Sequence, residues 1–343
     1  MMNKLAPVVH TAAAVAAVVT LPATPLAAIG ADGFDWATIG AVGNSAYTGP
    51  GAKTGRGRVD YTYRISKLEI TTSQWLEFTN TFSTQTDQFN FTKYGPLYWG
   101  ATFDPTYGGP GVRYRLRPGD PNAGMRPVGG ISWRDAARYC NWLHNGKSSS
   151  LSSLVTGAYD TTTFGGNRTT GYTDAATHLA GAKYWIPTFD ELLKAMYYDP
   201  NRYGQAVGGW WNNMNRSDSP GIPGVPGVGT TSADLDLGNR LEWTIPLGAY
   251  SNVTSPWGLL DTSGGAAEWT EDWSGSLKHL DRRTLGAAAG DAVEIDDISF
   301  SIMNNDPDWL NSYQGLRIAT SIPSPGTISV AIAGSIICRK KRR

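Results

Sequence analysis

Four carboxylates, Asp261, Glu268, Glu271 and Asp272, and two tryptophans, Trp269 and Trp273, crowd into the thirteen residues DTSGGAAEWTEDW (261–273). Three roles suit such a stretch. Carboxylates at the ends of a tight turn hold a hard cation. Carboxylates in a cleft move protons. An Asp followed by Ser and Gly turns a chain corner. From the residues alone all three readings stand. Other chemistry fails on inventory. Beyond the first thirty-one residues the histidines are His144, His178 and His279, without H-x-x-x-H spacing. No G-x-S-x-G, P-loop or dinucleotide-binding fingerprint occurs. Neighbours such as Asp296 and Asp297 could do acid–base work, but nothing in the spacing sets them in a cleft.

The composition bounds what must position these groups. The chain has 343 residues and a formal net charge of zero, which gives no electrostatic reason to expect a nucleic-acid partner. With 41 Gly and 13 Trp it reads as a turn-rich globular protein in which aromatics supply the packing. The two cysteines, Cys140 and Cys338, exclude a disulfide framework. Cys140 reads as a buried, unpaired thiol.

The ends differ from the middle. Residues 1–31 carry Lys4, an apolar run and a small-residue exit near Ala27 to Ala31, the pattern of a secretory signal peptide. Residues 321–343 contain PSPGT, an apolar stretch from Gly326 to Cys338 and five consecutive basic residues. The stretch is short for a membrane-spanning helix, which needs about twenty residues. The arrangement resembles the PEP-CTERM class of bacterial sorting tails, with PSPGT in place of Pro-Glu-Pro. That resemblance implies export, a transmembrane or transient membrane attachment, and removal of the tail by an exosortase-type protease.

Between the ends, Tyr61, Tyr63 and Ile65 alternate as a strand does. Helices follow at three places. Thr71, Thr72 or Ser73 caps a helix carrying Trp75, Leu76, Phe78, Thr79 and Phe82. Ser132 caps a second, with Asp135 completing a capping box and Ala136, Ala137, Cys140, Trp142 and Leu143 facing the core. Thr188 and Glu191 box a third, which buries Leu192, Ala195 and Met196 and ends by Pro200. Residues 203–231 read as a long irregular loop. Trp269 and Trp273 read as core residues at helical or turn-like spacing.

The order of YRISKLEITTSQWLEF, RPVGGISWRDAARYCNWL, YWIPTFDELLKAMYYD, SPWGLLDTSGGAAEWTEDW and GLRIA resembles the formylglycine-generating enzyme (sulfatase-modifying factor) family over residues 32–320. The resemblance implies a single compact α+β domain of C-type-lectin-like fold, with few helices, short antiparallel strands and much irregular chain. In that family a copper(I)-binding cysteine pair oxidises a sulfatase cysteine. Here the matching positions fall near Asp291 and Asp296, no cysteine lies between 141 and 337, and a carboxylate is too hard to replace a thiolate on copper(I). No copper is expected. The family disulfide partner of Cys140 falls near Ile318, so that bond is lost as well.

The resemblance also implies structural calcium. Carried over residue by residue, one site comprises Asp261, the carbonyls of Gly264 and Ala266, and Glu268, with Asp where the family has Asn. A second draws on Asp234 and the carbonyl of Leu235, its remaining ligands not aligning between Asn239 and Thr244. The expected protein is an exported, non-catalytic, calcium-stabilised binding or structural module. Its partner is an extracellular glycan, peptide or surface polymer. The alternative is an enzyme of the same fold that uses carboxylates or another metal.

Overall fold

The computed structural model describes residues 32–83, 99–275, 279–308, 310 and 313–322. The signal-peptide expectation (1–31) and all but the first two residues of the tail lie outside them.

Three helices form where polar side chains can cap them. Helix α1 (Thr72–Thr81) starts after Thr71, whose hydroxyl accepts from Gln74 N–H while Gln74 reaches back to Thr71 N–H. Helix α2 (Trp133–His144) starts after Ser132, whose hydroxyl accepts from Asp135 N–H at 3.1 Å. Helix α3 (Phe189–Tyr197) has the full Thr188–Glu191 box. Each cap satisfies a backbone donor that the helix itself cannot, worth about 1 kcal/mol. The apolar faces read from the sequence are buried. Trp75, Phe78, Tyr139 and Trp142 of α1 and α2 pack ring to ring at 5.1–5.8 Å.

The strands are short, and most pair across long stretches of chain. One antiparallel sheet has the order β1 (Trp36–Ile39), β2 (Tyr63–Ser66), β14 (Ala319–Ser321), β7 (Tyr184–Trp185), so both ends of the domain meet in it. The second has the order β12 (Met303–Asn305), β11 (Arg282–Leu285), β10 (Ala267–Trp273), β13 (Gln314–Gly315), with β13 parallel to β10. Hairpins β3 (Ala101–Phe103) with β4 (Tyr114–Leu116), β5 (Gly166–Asn167) with β6 (Gly171–Tyr172), and β8 (Tyr198–Asp199) with β9 (Gly209–Trp210) complete the set. The main core lies among the helices and the two sheets, where Trp75, Trp99, Trp133, Trp142 and Trp269 are fully buried. This is the α+β architecture that the sequence implied.

Several expectations need correction. Trp269 and Trp273 lie on strand β10, not on a helix or turn. Residues four positions apart share a face on a helix and on a strand alike; a register shift lies between these two, and only Trp269 is fully buried. The box at Ser132 is half formed: the Asp135 carboxylate accepts from the Ser132 hydroxyl and from Arg138, not from the Ser132 backbone. Tyr61 precedes its strand and is largely exposed. The transmembrane expectation is withdrawn, because no helix among the described residues is long and apolar enough to cross a membrane.

Candidate metal centre

The acidic turn runs straight into β10, with Glu268 as the second residue of that strand. Its backbone is left-handed at Asp261 (φ 51°), Gly264 (81°) and Gly265 (69°). Glycine is required at the last two positions. A Cβ on Gly264 would lie 2.2 Å from Ser232 Oγ, and one on Gly265 would lie 2.5 Å from Glu69 Oε1. The bare backbone thus lets Glu69, from the segment after β2, reach the turn. Both of its carboxylate oxygens accept from Ala266 N–H at 3.2 Å.

Glu268 is buried against Arg317. Its Oε1 accepts from Arg317 Nη2 at 3.2 Å and Nε at 3.4 Å. The same guanidinium donates to the carbonyls of Ser66, Lys67, Leu260 and Asp261 at 2.5–3.5 Å. Glu268 Oε2 is buried and meets no donor among the described residues. It faces Gly286: a Cβ there would lie 2.7 Å from Oε2 and 3.5 Å from the Thr262 carbonyl oxygen. Part-buried Asp261 turns Oδ2 to Gly248 N–H at 2.6 Å.

Asp296 belongs to the same buried region, accepting from the Ser263 hydroxyl and, at 2.8 Å, from Ala287 N–H. The electrostatics register the crowding. Burial, then Glu268, holds the Glu69 carboxyl well above the ordinary range. Burial raises Glu268 to about 8 against the pull of Arg317. It raises Asp296 to about 7 and Asp261 to about 6. Glu69, Asp261, Glu268 and Asp296 crowd this region, with Asp291 also acting on Asp296, and Arg317 and Lys53 are the cations that face them. Buried charge of that kind is met by protons or by a divalent cation.

Among the described residues, no three His, Cys, Asp or Glu side chains form a group able to hold a metal on their own. Calcium does not require one, since it accepts backbone carbonyls beside one or two carboxylates. The turn fits that ion: it has a spare buried carboxylate oxygen, a carbonyl facing the same space, and further carboxylates close by. It offers no sulfur to copper(I).

The second expected site has gained a member. Asp234 is also left-handed (φ 57°), and its N–H donates to the Asp291 carbonyl at 2.6 Å. The Leu235 carbonyl oxygen and Glu242 Oε1 each lie 3.6 Å from the point where a Cβ on Gly290 would sit, so both face one small space. Glu242 is buried. Asp291, near which the resemblance set one oxidase cysteine, accepts from Ala288 N–H at 3.1 Å, and Asp296, near the other, is bound as above. Both carboxylates fasten the loop that follows Gly286. The chain lacks the catalytic cysteine pair, and Cys140 is buried and free.

Sequence reasoning missed Glu69, Arg317, Thr262 and Glu242. A faint signal existed for two of them. Glu69 sits between Leu68 and Ile70, and Arg317 between Leu316 and Ile318. A charge flanked by apolar residues that must be buried needs a buried partner.

The geometry defines an α+β domain of short strands joined by long irregular segments around a carboxylate-rich turn. Residues 43–322 match the sulfatase-modifying factor enzyme 1-like domain, and the chain belongs to that family. No curated protein sequence matches it. Among solved structures it is similar to Treponema denticola variable protein 1 (15% identity, 86% of this chain and 98% of that one, TM-score 0.50). It also matches CarF (16% identity, 84% and 99%, TM-score 0.49) and PvdO from Pseudomonas aeruginosa (15%, 84% and 92%, TM-score 0.40). Identities this low speak to the fold alone.

Proposed function

We propose that the protein is an exported, non-catalytic binding or surface-structural module of this family, stabilised by calcium at the turn from Asp261 to Glu268. The observation that carries the calcium reading is the buried Glu268 Oε2, which meets no donor among the described residues although Glu69, Asp261 and Asp296 are close by. Asp261, Glu268 and the carbonyls of Gly264, Ala266 and Thr262 would hold the ion. Asp234, Glu242 and the Leu235 carbonyl would hold a second. Calcium supplies positive charge there and ties the turn to its neighbours. The non-catalytic reading is supported by the missing cysteine pair and by the engagement of Asp291 and Asp296 with backbone N–H groups. Export and tail removal rest on the sequence pattern at the two ends.

Thermal melts with calcium and with chelator test the metal. An ion that binds only the native state at a hundredfold excess over Kd adds about 2.7 kcal/mol. Glu268→Gln should remove the difference, and identical wild-type melts would end the calcium claim. A glycan and peptide array probed with the same protein tests the binding role.

A further inference from the structure

A second buried carboxylate lies well away from the turn. Glu271, two residues before the end of β10, has a side chain only 1% exposed. Its Oε1 accepts from Tyr159 O–H at 2.6 Å and from His178 N–H at 2.9 Å, and it meets His178 Nδ1 at 2.9 Å. Its Oε2 is buried and meets no donor among the described residues. Among them, His178 alone can set a positive charge against this carboxylate at contact distance. The imidazole stacks on Trp185 at 4.6 Å and is 26% exposed, so it exchanges its proton with solvent without leaving its place.

The segment that carries His178 is fastened unevenly. At one end Asp174 holds Arg134 at 2.8 Å, and the Ala175 carbonyl accepts from Arg282 Nη2 at 2.6 Å. At the other end Leu179 N–H donates to the Ala158 carbonyl at 2.7 Å. Guanidinium and backbone groups supply those donors, and neither titrates near neutral pH. Between them Ala176 and Thr177 are exposed and make no hydrogen bond among the described residues, so His178 alone holds this stretch down. Ala176 and Thr177 also form one wall of a cavity of about 500 Å³, with Tyr61, Thr188, Glu271 and Trp273 on the other walls.

The neighbours of the imidazole favour its charged form. Burial by itself would lower it, but the hydrogen bond and charge of Glu271, and then the charge of Glu191 on α3, outweigh burial and hold His178 above its ordinary 6.5. Glu191 is tied to the ring under the imidazole, accepting from Trp185 Nε1 at 3.2 Å. The other titratable groups here do not compete. Burial pushes the Tyr159 phenol and the Cys140 thiol far up, and Arg282 donates to the Glu271 backbone carbonyl, not to its carboxylate. A group raised on folding stabilises most below its unfolded value. The His178 contact is therefore firmest below about pH 6.5 and weakens as pH rises through the raised value. A neutral imidazole still donates from Nδ1, so the stretch loosens instead of detaching.

We propose that residues 176–178 are a pH-sensitive strap on this cavity: protonated His178 clamps them onto Glu271, and loss of that proton loosens the wall between its two fixed ends. The strap stands apart from the calcium and binding-module readings.

Hydrogen exchange of the full chain in chelator, read by mass on peptides covering residues 174–179 at about pH 6 and about pH 8 and corrected for the intrinsic effect of pH, tests it. Opening of this stretch should rise severalfold at the higher value relative to peptides from α3. Those peptides report the global response, to which buried Asp296 and Glu268 contribute in the same range. His178→Asn sets an amide nitrogen near the place of Nδ1 but cannot titrate, and the excess opening should disappear. Nuclear magnetic resonance should find His178 titrating above 6.5 in the wild type and lower in Glu271→Gln. Should Glu271→Gln fail to fold, His178→Asn, on a partly exposed side chain, carries the test by itself. No excess opening over α3 in the wild type, an excess that survives His178→Asn, or a His178 that titrates at or below 6.5 overturns the proposal.

Discussion

Replacing Arg317 with methionine is the most direct probe of the buried turn. Methionine keeps much of the length and none of the charge. Arg317 is fully buried and serves Glu268 together with the carbonyls of Ser66, Lys67, Leu260 and Asp261. Its loss leaves Glu268 buried with neither carboxylate oxygen bonded to a side-chain donor, because Oε2 already has none. Breaking a buried pair from one side costs about 3–5 kcal/mol. At 2–4 °C per kcal/mol for a domain of some size, the melting point should fall by roughly 10 °C. The deficit should be smallest below about pH 8, where a protonated Glu268 needs no cation, and should grow as pH rises above that value. It should also shrink with added calcium, which would take over the charge. Arg317→Met with Glu268→Gln should be more stable than Arg317→Met alone, because the stranded charge is gone. Urea denaturation of the two single variants and the double variant, with chelator and with calcium, measures all of this. A loss below about 1 kcal/mol in Arg317→Met, or a double variant that equals the sum of the singles, would refute the pairing argument.

Three further outcomes are expected. A Cys-x-Pro-x-Arg peptide incubated with the protein and copper should show no formylglycine by mass spectrometry, and any turnover would overturn the reading of Asp291 and Asp296 as replacements of the cysteine pair. Asp296 is raised by burial from 3.8 to about 7, so the native state holds an extra proton below that value and loses its benefit as pH rises. In chelator, stability should fall by about 2 kcal/mol from this group between pH 5.5 and 7.5, and denaturation of Asp296→Asn should show a flatter slope. Expressed in hosts with and without an exosortase-type protease, the chain should lose the residues after about Pro323 only in the first, as its mass will tell.

What the sequence disclosed and what it withheld divide along the range of the contacts. The helices were legible because a cap and its partner lie three residues apart, as Thr188 and Glu191 do. The acidic turn was legible because Asp261, the glycines and Glu268 are contiguous. Its partners were not. Glu69 bonds Ala266 across 197 residues, and Arg317 reaches Ser66 across 251. No local periodicity carries such pairs. The strands were hidden for the same reason, since β14 pairs with β2 near the other end of the domain over three residues. Where a local signal did exist it could mislead: a spacing of four positions, as from Trp269 to Trp273, sets two side chains on one face of a helix and of a strand alike.

The buried charge explains why a domain without the oxidase cysteines retains so acidic a turn. If the turn only changed chain direction, one capping carboxylate such as Asp261 on Gly248 N–H would suffice. Instead Glu268 pairs with Arg317 while buried Glu69 stands close enough to feel both charges, and Glu268 keeps one oxygen without a donor among the described residues. Desolvating such a carboxylate costs several kcal/mol unless something positive meets it. Protonation offsets that cost below about pH 8, the value to which burial raises the Glu268 carboxyl. Above that value a bound divalent cation would have to offset it, as the calcium proposal has it. If the calcium proposal holds, copper chemistry and calcium stabilisation are separable properties of the fold, since this chain lacks the cysteine pair that the first requires.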